Sequence, residues 1–306
     1  MKTLIIGSRR SKLAQVQSKL IQRMLESAWD ELTVNIVLID TSGDKNRHDP
    51  LPKIGGKGLF TAELEEALRE GRIDLAVHSL KDLPVEDSPG LTVVAIPERA
   101  ASADVLICHQ ANQVDALPQG AIIGTSSLRR AAQILARRPD IRIKDIRGNV
   151  DTRLAKVDDP ALGYDATILA QAGLDRLGYT DLSQAHPLPP DIMLPAPGQG
   201  ALGIQGRAAD PQTNPYLQLL DHAPTRAAVT AERAFLASLG GGCSLPVGAL
   251  GQIEGDSILL QALVASPDGS KILRENGQAK LAEAQKLGQQ LAVQVLSEGA
   301  QALLAS

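Results

Sequence analysis

Ile5-Ile6-Gly7-Ser8-Arg9-Arg10-Ser11-Lys12, near the start of the chain, and Ile122-Ile123-Gly124-Thr125-Ser126-Ser127-Leu128-Arg129-Arg130, in its middle, share one design. Each runs from an apolar β-rich pair through glycine and hydroxyl residues into a basic stretch with helical spacing. Strand, glycine turn and helix in that order form the repeating unit of an α/β fold. The turn gathers unpaired backbone N–H groups, hydroxyls and the positive end of a helix dipole at one place, an arrangement that suits an anion. Taken singly, Ser8 and Ser126 read equally well as ordinary helix caps beside solvated arginines. Their repetition favours two anion sites facing each other across a cleft.

The flanking sequence extends the α/β rhythm. Strand patterns cover Thr3–Ile6 and Val34–Ile39, and Leu13, Val16, Leu20, Ile21, Met24 and Leu25 recur at helical spacing between them. A polar connection from Asp40 to Lys57, expected to be mobile, leads to a helix from about Leu59 to Glu70 that Gly71 ends. A second series, from Asp104 to Ala170, places strands near Ala121–Ile123, Ile141–Ile146 and Ala166–Ala170. Pro187 to Pro197 reads as a linker, and after Gly198-Gln199-Gly200 the chain crosses between domains. A long helix then runs to Leu239, followed by strands around Ile258–Ala265 and Lys271–Arg274 and a closing helix carrying Leu281, Ala284, Leu287, Leu291 and Val295. The expected architecture is α/β with three domains: residues 1–97 with 199–217, residues 98–198, and an α+β domain at 218–306.

Bulk properties agree with a multi-domain soluble chain. At 306 residues more than one core is expected, and 43% hydrophobic with 22% charged residues is ordinary globular composition. The run Leu4–Ile6 is broken at once by Gly7, too short for a secretory or membrane segment, which points to the cytoplasm or, for a processed form, a plastid stroma. Two cysteines supply neither a disulfide framework nor a zinc site, and no metal is expected. Net charge is −4, yet residues 129–156 hold nine Lys or Arg against three Asp, so positive charge is focused. Focusing in an acidic protein suits a small polycarboxylate or phosphate compound, and 2% aromatics leave little for stacking nucleic-acid bases.

Three places carry possible chemistry. Cys243 follows Gly240-Gly241-Gly242, a glycine collar that lets a bulky group lie against the backbone; no flanking base supports a protease-like nucleophile, and a packed thiol is the plainer reading for Cys108 and, in isolation, for Cys243, where the collar argues for exposure instead. Asp74 to Glu86 is a strand delivering His78, Ser79, Lys81 and Asp82 at its end, where α/β domains bind ligands, although a polar turn before Pro84 explains the same residues. Gly55-Gly56-Lys57-Gly58 lacks the following Ser or Thr of a nucleotide phosphate loop, so nucleotide binding is rejected.

The ordered set Gly55–Phe60 (GGKGLF), Asp74–Glu86 (DLAVHSLKDLPVE), Gly124–Arg130 (GTSSLRR), Arg147–Val150 (RGNV), Gly198–Ala201 (GQGA), and Glu232-Arg233 leading to Gly241–Gly248 resembles the porphobilinogen deaminases over essentially the whole chain. The resemblance implies two periplasmic-binding-protein-like α/β domains around a cleft and a small third domain whose loop holds a dipyrromethane cofactor through a thioether on Cys243. It implies an essential carboxylate at Asp82, which stabilises positive charge and moves protons. Cofactor contacts fall on Lys81, Asp82, Thr125, Ser126, Ser127, Arg129, Arg130, Arg147, Gly148, Asn149, Arg153 and Gly242. Substrate contacts fall on Arg9, Ser11, Lys57, Phe60, Arg147, Arg153, Arg176 and Gln199. The implied substrate is porphobilinogen and the implied form a monomer, condensing four substrate molecules head to tail with loss of ammonia and then releasing hydroxymethylbilane by hydrolysis. Each pyrrole carries an acetate and a propionate, which accounts for the arginine density. Two departures stand out: Leu245 replaces a β-branched residue, and Ala100 to Ala103 replace a charged stretch, which removes one expected salt bridge at the domain hinge.

The competing reading is a two-domain anion-binding protein without catalysis, since the paired turns alone would serve a receptor. A nucleic-acid-binding protein would use the same basic stretch, but the acidic total charge opposes it.

Overall fold

The computed structural model describes residues 2–42, 61–241 and 245–304. They form two compact units, Met1–Ala100 with Ala201–Arg226, and Ala101–Gly200 with Ala227–Ser306.

In the first unit, β1 (Lys2–Arg9), β2 (Leu32–Ile39), β3 (Leu75–Ser79), β4 (Leu91–Ala95) and β10 (Leu202–Arg207) make one sheet in the order β2-β1-β3-β10-β4. β2 and β3 pair parallel with β1, whereas β10 runs antiparallel to both β3 and β4. Helix α1 (Lys12–Ala28) crosses from β1 to β2 and buries Ile21 and Leu25 against Leu4, Ile6 and Val77. The other face takes α2 (Ala62–Arg69), whose Leu64, Ala67 and Leu68 pack with Ile73 and Ala76.

The second unit repeats that plan. β5 (Asp104–Cys108), β6 (Ile122–Gly124), β7 (Arg142–Lys144), β8 (Ala166–Ala170) and β9 (Ala185–Leu188) pair in the order β7-β6-β8-β5-β9, with β7 and β8 parallel to β6, and with β5 antiparallel to β8 and β9. The correspondence reaches single hydrogen bonds. Ile5 N–H donates to the Asp74 carboxylate (2.8 Å), and Ile122 N–H donates to that of Asp165 (2.6 Å), each acid preceding the third strand of its set. The sequence echo is therefore a structural repeat.

The same unit contains a three-stranded antiparallel sheet of β11 (Val247–Glu254), β12 (Ser257–Ala265) and β13 (Ile272–Lys280). Its core gathers Phe235, Ile258, Leu260, Leu291 and Val295, with helices Ala223–Ser238 and Ala284–Ser297 supplying the helical part. This segment shares a second cluster, Ala132, Leu194, Leu250, Leu263 and Ala265, with the five-stranded part of its unit.

Two expectations need correction. The Pro-rich stretch is not all linker, because Ala185–Leu188 forms β9; Pro187 is tolerated there because β9 is an edge strand whose outer side needs no N–H. The last strand runs to Lys280, not Arg274, and its inward positions Glu275 and Gly277 hid the alternation that marks a strand. The connection read as mobile lies, from residue 43 on, outside the described residues, as does the start of the helix expected from Leu59.

Candidate active site

In the first unit the decisive geometry is the parting of the chain on either side of β1. The path from β1 leads by α1 to β2 on one side, while β3 lies on the other, paired Ile6 to Leu75 and Gly7 to Ala76. The carboxyl ends of β1 and β3 are thus adjacent at a point where strand order reverses, the place where open α/β sheets bind ligands. Gly7 lets α2 and Ile73 pack closely over this part of β1: a Cβ there would stand 2.3 Å from the Ile73 side chain and 2.9 Å from that of Leu64. Ser11 caps α1 by accepting the Ala14 N–H at 3.3 Å, and the buried Gln17 amide donates to Ser79 Oγ at 2.9 Å, pinning α1 to the end of β3.

Beyond Ser79 the chain makes a single tight turn, Leu80–Asp82. Leu80 and Leu83 are buried, and the Leu80 N–H donates to the Ala201 carbonyl at 3.0 Å. Anchored at both leucines, the turn leaves Lys81 half-buried and Asp82 exposed. A carboxylate carried this way is exposed three residues beyond the end of β3, and Arg9, which ends the neighbouring strand β1, is half-buried.

His78, one residue before that end, is a structural group. It is buried, its Nε2 lies 3.1 Å from Gln205 Oε1, and burial lowers its pKa from 6.5 to about 4, with the Gln205 bond and Glu65 opposing and Arg9 assisting. The neutral imidazole donates to Gln205.

In the second unit the turn after β6 is a set of caps. Thr125 Oγ1 accepts the Ser127 N–H (3.1 Å), Ser127 Oγ accepts the Arg130 N–H (3.4 Å) at the start of helix α3 (Leu128–Arg137), and Ser126 Oγ donates to the Ile146 carbonyl (2.8 Å). Asn149 caps helix α4 (Val150–Asp158) by accepting from Thr152 N (2.9 Å). Before it, Gly148 is left-handed (φ 111°), and its carbonyl accepts from Arg153 Nε at 2.9 Å. Arg147 Nε donates to Asp145 at 3.2 Å.

Arg129 and Arg130 are buried around Asp104, a residue the sequence reading did not single out. Arg129 reaches Asp104 Oδ2 at 2.7 Å and the Leu194 carbonyl at 2.8 Å; Arg130 reaches Asp104 Oδ1 at 2.6 Å and the Ile168 carbonyl at 2.8 Å. Burial alone would raise the Asp104 pKa, but the two guanidiniums hold it well below the usual carboxylate range, and burial in turn lowers that of Arg129. The cluster's formal charge is +1. Gln199, expected to touch substrate, is fully buried and donates instead to the Ser102 carbonyl (2.8 Å) and Asp104 Oδ1 (3.0 Å). Arg176 donates to the Gly200 carbonyl at 2.7 Å, and burial lowers its pKa.

The positive field of residues 129–156 is weaker than its count implied, because acids outside that window pair with it: Asp104 as above, and Asp115 with Arg137. The signal for Asp104 was faint, a single charge opening the apolar strand Asp104–Cys108. Cys108 is buried in the core beside Leu106 and Ile123, as its apolar setting indicated. Lys57, Phe60, Gly242 and Cys243 lie outside the described residues. Just before the last two, the Gly241 N–H closes the preceding helix on Leu236 O at 3.0 Å, and just after them Leu245 packs on the C-terminal core. Among the described residues no group of His, Cys, Asp and Glu has a metal-binding arrangement, and no helix is long and apolar enough to cross a membrane.

Comparison with known proteins gives the site its context. Residues 4–215 match the family described as porphobilinogen deaminase, dipyromethane cofactor binding domain, and residues 226–297 match porphobilinogen deaminase, C-terminal domain. The chain belongs to the porphobilinogen deaminase family. It is 48% identical over 303 residues to the porphobilinogen deaminase of Roseiflexus sp. (strain RS-1), covering 99% of both chains. It is 44% identical over 306 residues to that of Exiguobacterium sp. (strain ATCC BAA-1283 / AT1b), covering 100% of this chain and 99% of the relative. Among solved structures, the periplasmic aliphatic sulphonate binding protein of Escherichia coli is similar at 15% identity with a TM-score of 0.38, over 78% of this chain and 70% of that one.

Proposed function

We propose that this chain condenses four porphobilinogen molecules head to tail, releasing ammonia at each step, and frees hydroxymethylbilane by hydrolysis. The observation that carries the reading is the turn at the end of β3, which sinks Leu80 and Leu83 into the core and presents Asp82 at the switch point of a porphobilinogen deaminase family fold. An exposed carboxylate there can stabilise positive charge on a pyrrole nitrogen and accept the proton lost when aromaticity returns. Arg9, at the end of β1, holds acid substituents of the substrate, and Lys81, beyond the end of β3, holds those of the cofactor. Arg147, Arg153 and Arg176, with Lys57, Phe60 and the Ser11 hydroxyl, serve the same ligand in the assignment we favour.

The described residues also suit a covalently held dipyrromethane. Its carboxylates call for fixed cations, and the Arg129–Arg130–Asp104 cluster keeps a formal charge of +1 at the start of the helix that the hydroxyl turn Thr125–Ser127 leads into. When bound, the group supplies the nucleophilic carbon on which the chain grows. Cys243, next to Gly242, is the attachment point in our assignment, with Gly148 and Asn149 opening the helix nearest Arg147. The enzyme acts, in this reading, as a monomer of three domains in the cytoplasm, without nucleic-acid or membrane partners.

Intact mass spectrometry tests the assignment. The purified chain is expected to exceed its sequence mass by a covalent oligopyrrole, and Cys243→Ser is expected to lack the excess. A wild-type chain at its bare mass with an alkylatable Cys243 refutes it.

A further inference from the structure

Each residue of Gly198-Gln199-Gly200 is held by a different partner. The Gly198 N–H donates to Glu232 Oε2 at 2.6 Å, and the other oxygen of that fully buried carboxylate accepts the Gly251 N–H of β11 at 2.8 Å. The Gly200 carbonyl accepts from Arg176 at 2.7 Å. Between them Gln199 sends its amide to Asp104 Oδ1 at 3.0 Å, the oxygen that also accepts from Arg130 Nη2 at 2.6 Å and Nε at 3.1 Å. Gly198 and Gly200 have φ of 76° and 87°, so the tripeptide takes a backbone that residues with a Cβ rarely adopt. A loop fixed at three points delivers one neutral donor to the one acid that balances two buried arginines.

We infer that Gln199 is a positioning residue: it holds Asp104 between Arg129 and Arg130 and so sets the +1 charge that the pair offers to carboxylates of the substrate or cofactor. This rests on the function proposed above. A neutral amide suits the task. An acid in its place would cancel the remaining charge, and an apolar side chain would leave Asp104 short of a donor and free to favour one arginine. Among the described residues, Asp104 accepts from the Gln199 amide and pairs with Arg129 and Arg130, while Arg176 and Glu232 bond the backbone of its two neighbours.

Two variants test the inference, Gln199→Met and Gln199→Glu, each followed by melting temperature and by steady-state turnover of porphobilinogen between pH 6 and 9. In Gln199→Glu the introduced carboxyl, beside Asp104, has its pKa raised. Protonated, it donates as the amide does; ionised, it takes the cluster from +1 to 0. Both melting temperature and affinity should therefore fall relative to wild type as pH rises, with KM climbing roughly tenfold while kcat changes little. Gln199→Met should show a raised KM without the added pH dependence. A melting temperature that falls with pH while KM stays parallel to wild type would reduce Gln199 to a structural role and overturn the inference. Unchanged melting with KM raised equally at every pH would overturn it in favour of direct substrate contact. Failure of the underlying function looks different, since wild-type enzyme would then not consume porphobilinogen at all.

Discussion

Acidification should loosen the first unit through one residue. The His78 pKa drops from 6.5 to about 4 in the folded protein because the ring is buried, and its bond to Gln205 offsets only part of that burial. A depressed pKa means that the unfolded chain binds the proton first, so the stability this neutral histidine contributes is intact above pH 6.5 and is lost as pH falls from there toward 4. Each tenfold difference in proton affinity between the unfolded and folded chain is worth about 1.4 kcal/mol, which gives a loss of about 2 kcal/mol at pH 5 and about 3 kcal/mol at pH 4 relative to pH 8. The chain has one tryptophan, Trp29, and its ring meets Tyr216 edge-on at 5.0 Å within the same unit, so its fluorescence in a urea titration reports on this unit. With a urea slope of about 2 kcal/mol/M the midpoint should move down by about 1 M between pH 8 and pH 5. His78→Gln keeps an N–H donor toward Gln205 and removes the ionisation, so most of that movement should vanish in the variant. Equal shifts in both proteins would show that the histidine is not buried neutral, and the reasoning would fail.

Asp82→Asn should slow turnover by about 10²–10⁴-fold while leaving the covalent adduct in the mass spectrum, because the proposed function gives this exposed carboxylate the proton transfers; near-normal turnover would remove Asp82 from the chemistry. Phe235→Ala, which empties the middle of the C-terminal core, should cost about 3–5 kcal/mol in chemical denaturation, and a loss under about 1 kcal/mol would show that the core does not close around it. Cys108→Ser places a hydroxyl among Leu106, Ile123 and Ile168 and should cost about 1–3 kcal/mol without changing turnover per folded molecule; a lost activity would make Cys108 more than packing.

Much of the fold was legible because burial follows local pattern wherever a strand is covered on both faces. β8 begins and ends at the residues its apolar run marked, Ala166 and Ala170, and the two glycine turns disclosed the repeat. The pattern failed where one face of a strand is open. β13 lies at a sheet edge, and Gly277 takes an inward position because a Cβ would meet Leu287 at 2.9 Å, so no apolar alternation remained to be seen. β9 failed for a related reason, since an edge tolerates the proline that would forbid a central strand.

The site was legible in its residue types and less so in their roles, and the division has a physical cause. The run Asp74 to Glu86 marked Lys81 and Asp82 as lying at a strand end, and the turn Leu80–Asp82 then sets their exposure by burying Leu80 and Leu83 on either side of them. Arginines have no such constraint. Arg129 and Arg130 sit at the first turn of a helix that reads as basic and solvated, yet both turn inward because Asp104 waits at the start of a neighbouring strand, 25 and 26 residues away in sequence. No local pattern encodes that pairing, and Gln199 joins it from 95 residues beyond Asp104. A cluster built this way keeps a fixed positive charge only while its buried acid stays fixed. The residues that decide the charge are therefore the neutral and acidic neighbours, and a count of arginines alone overstates it.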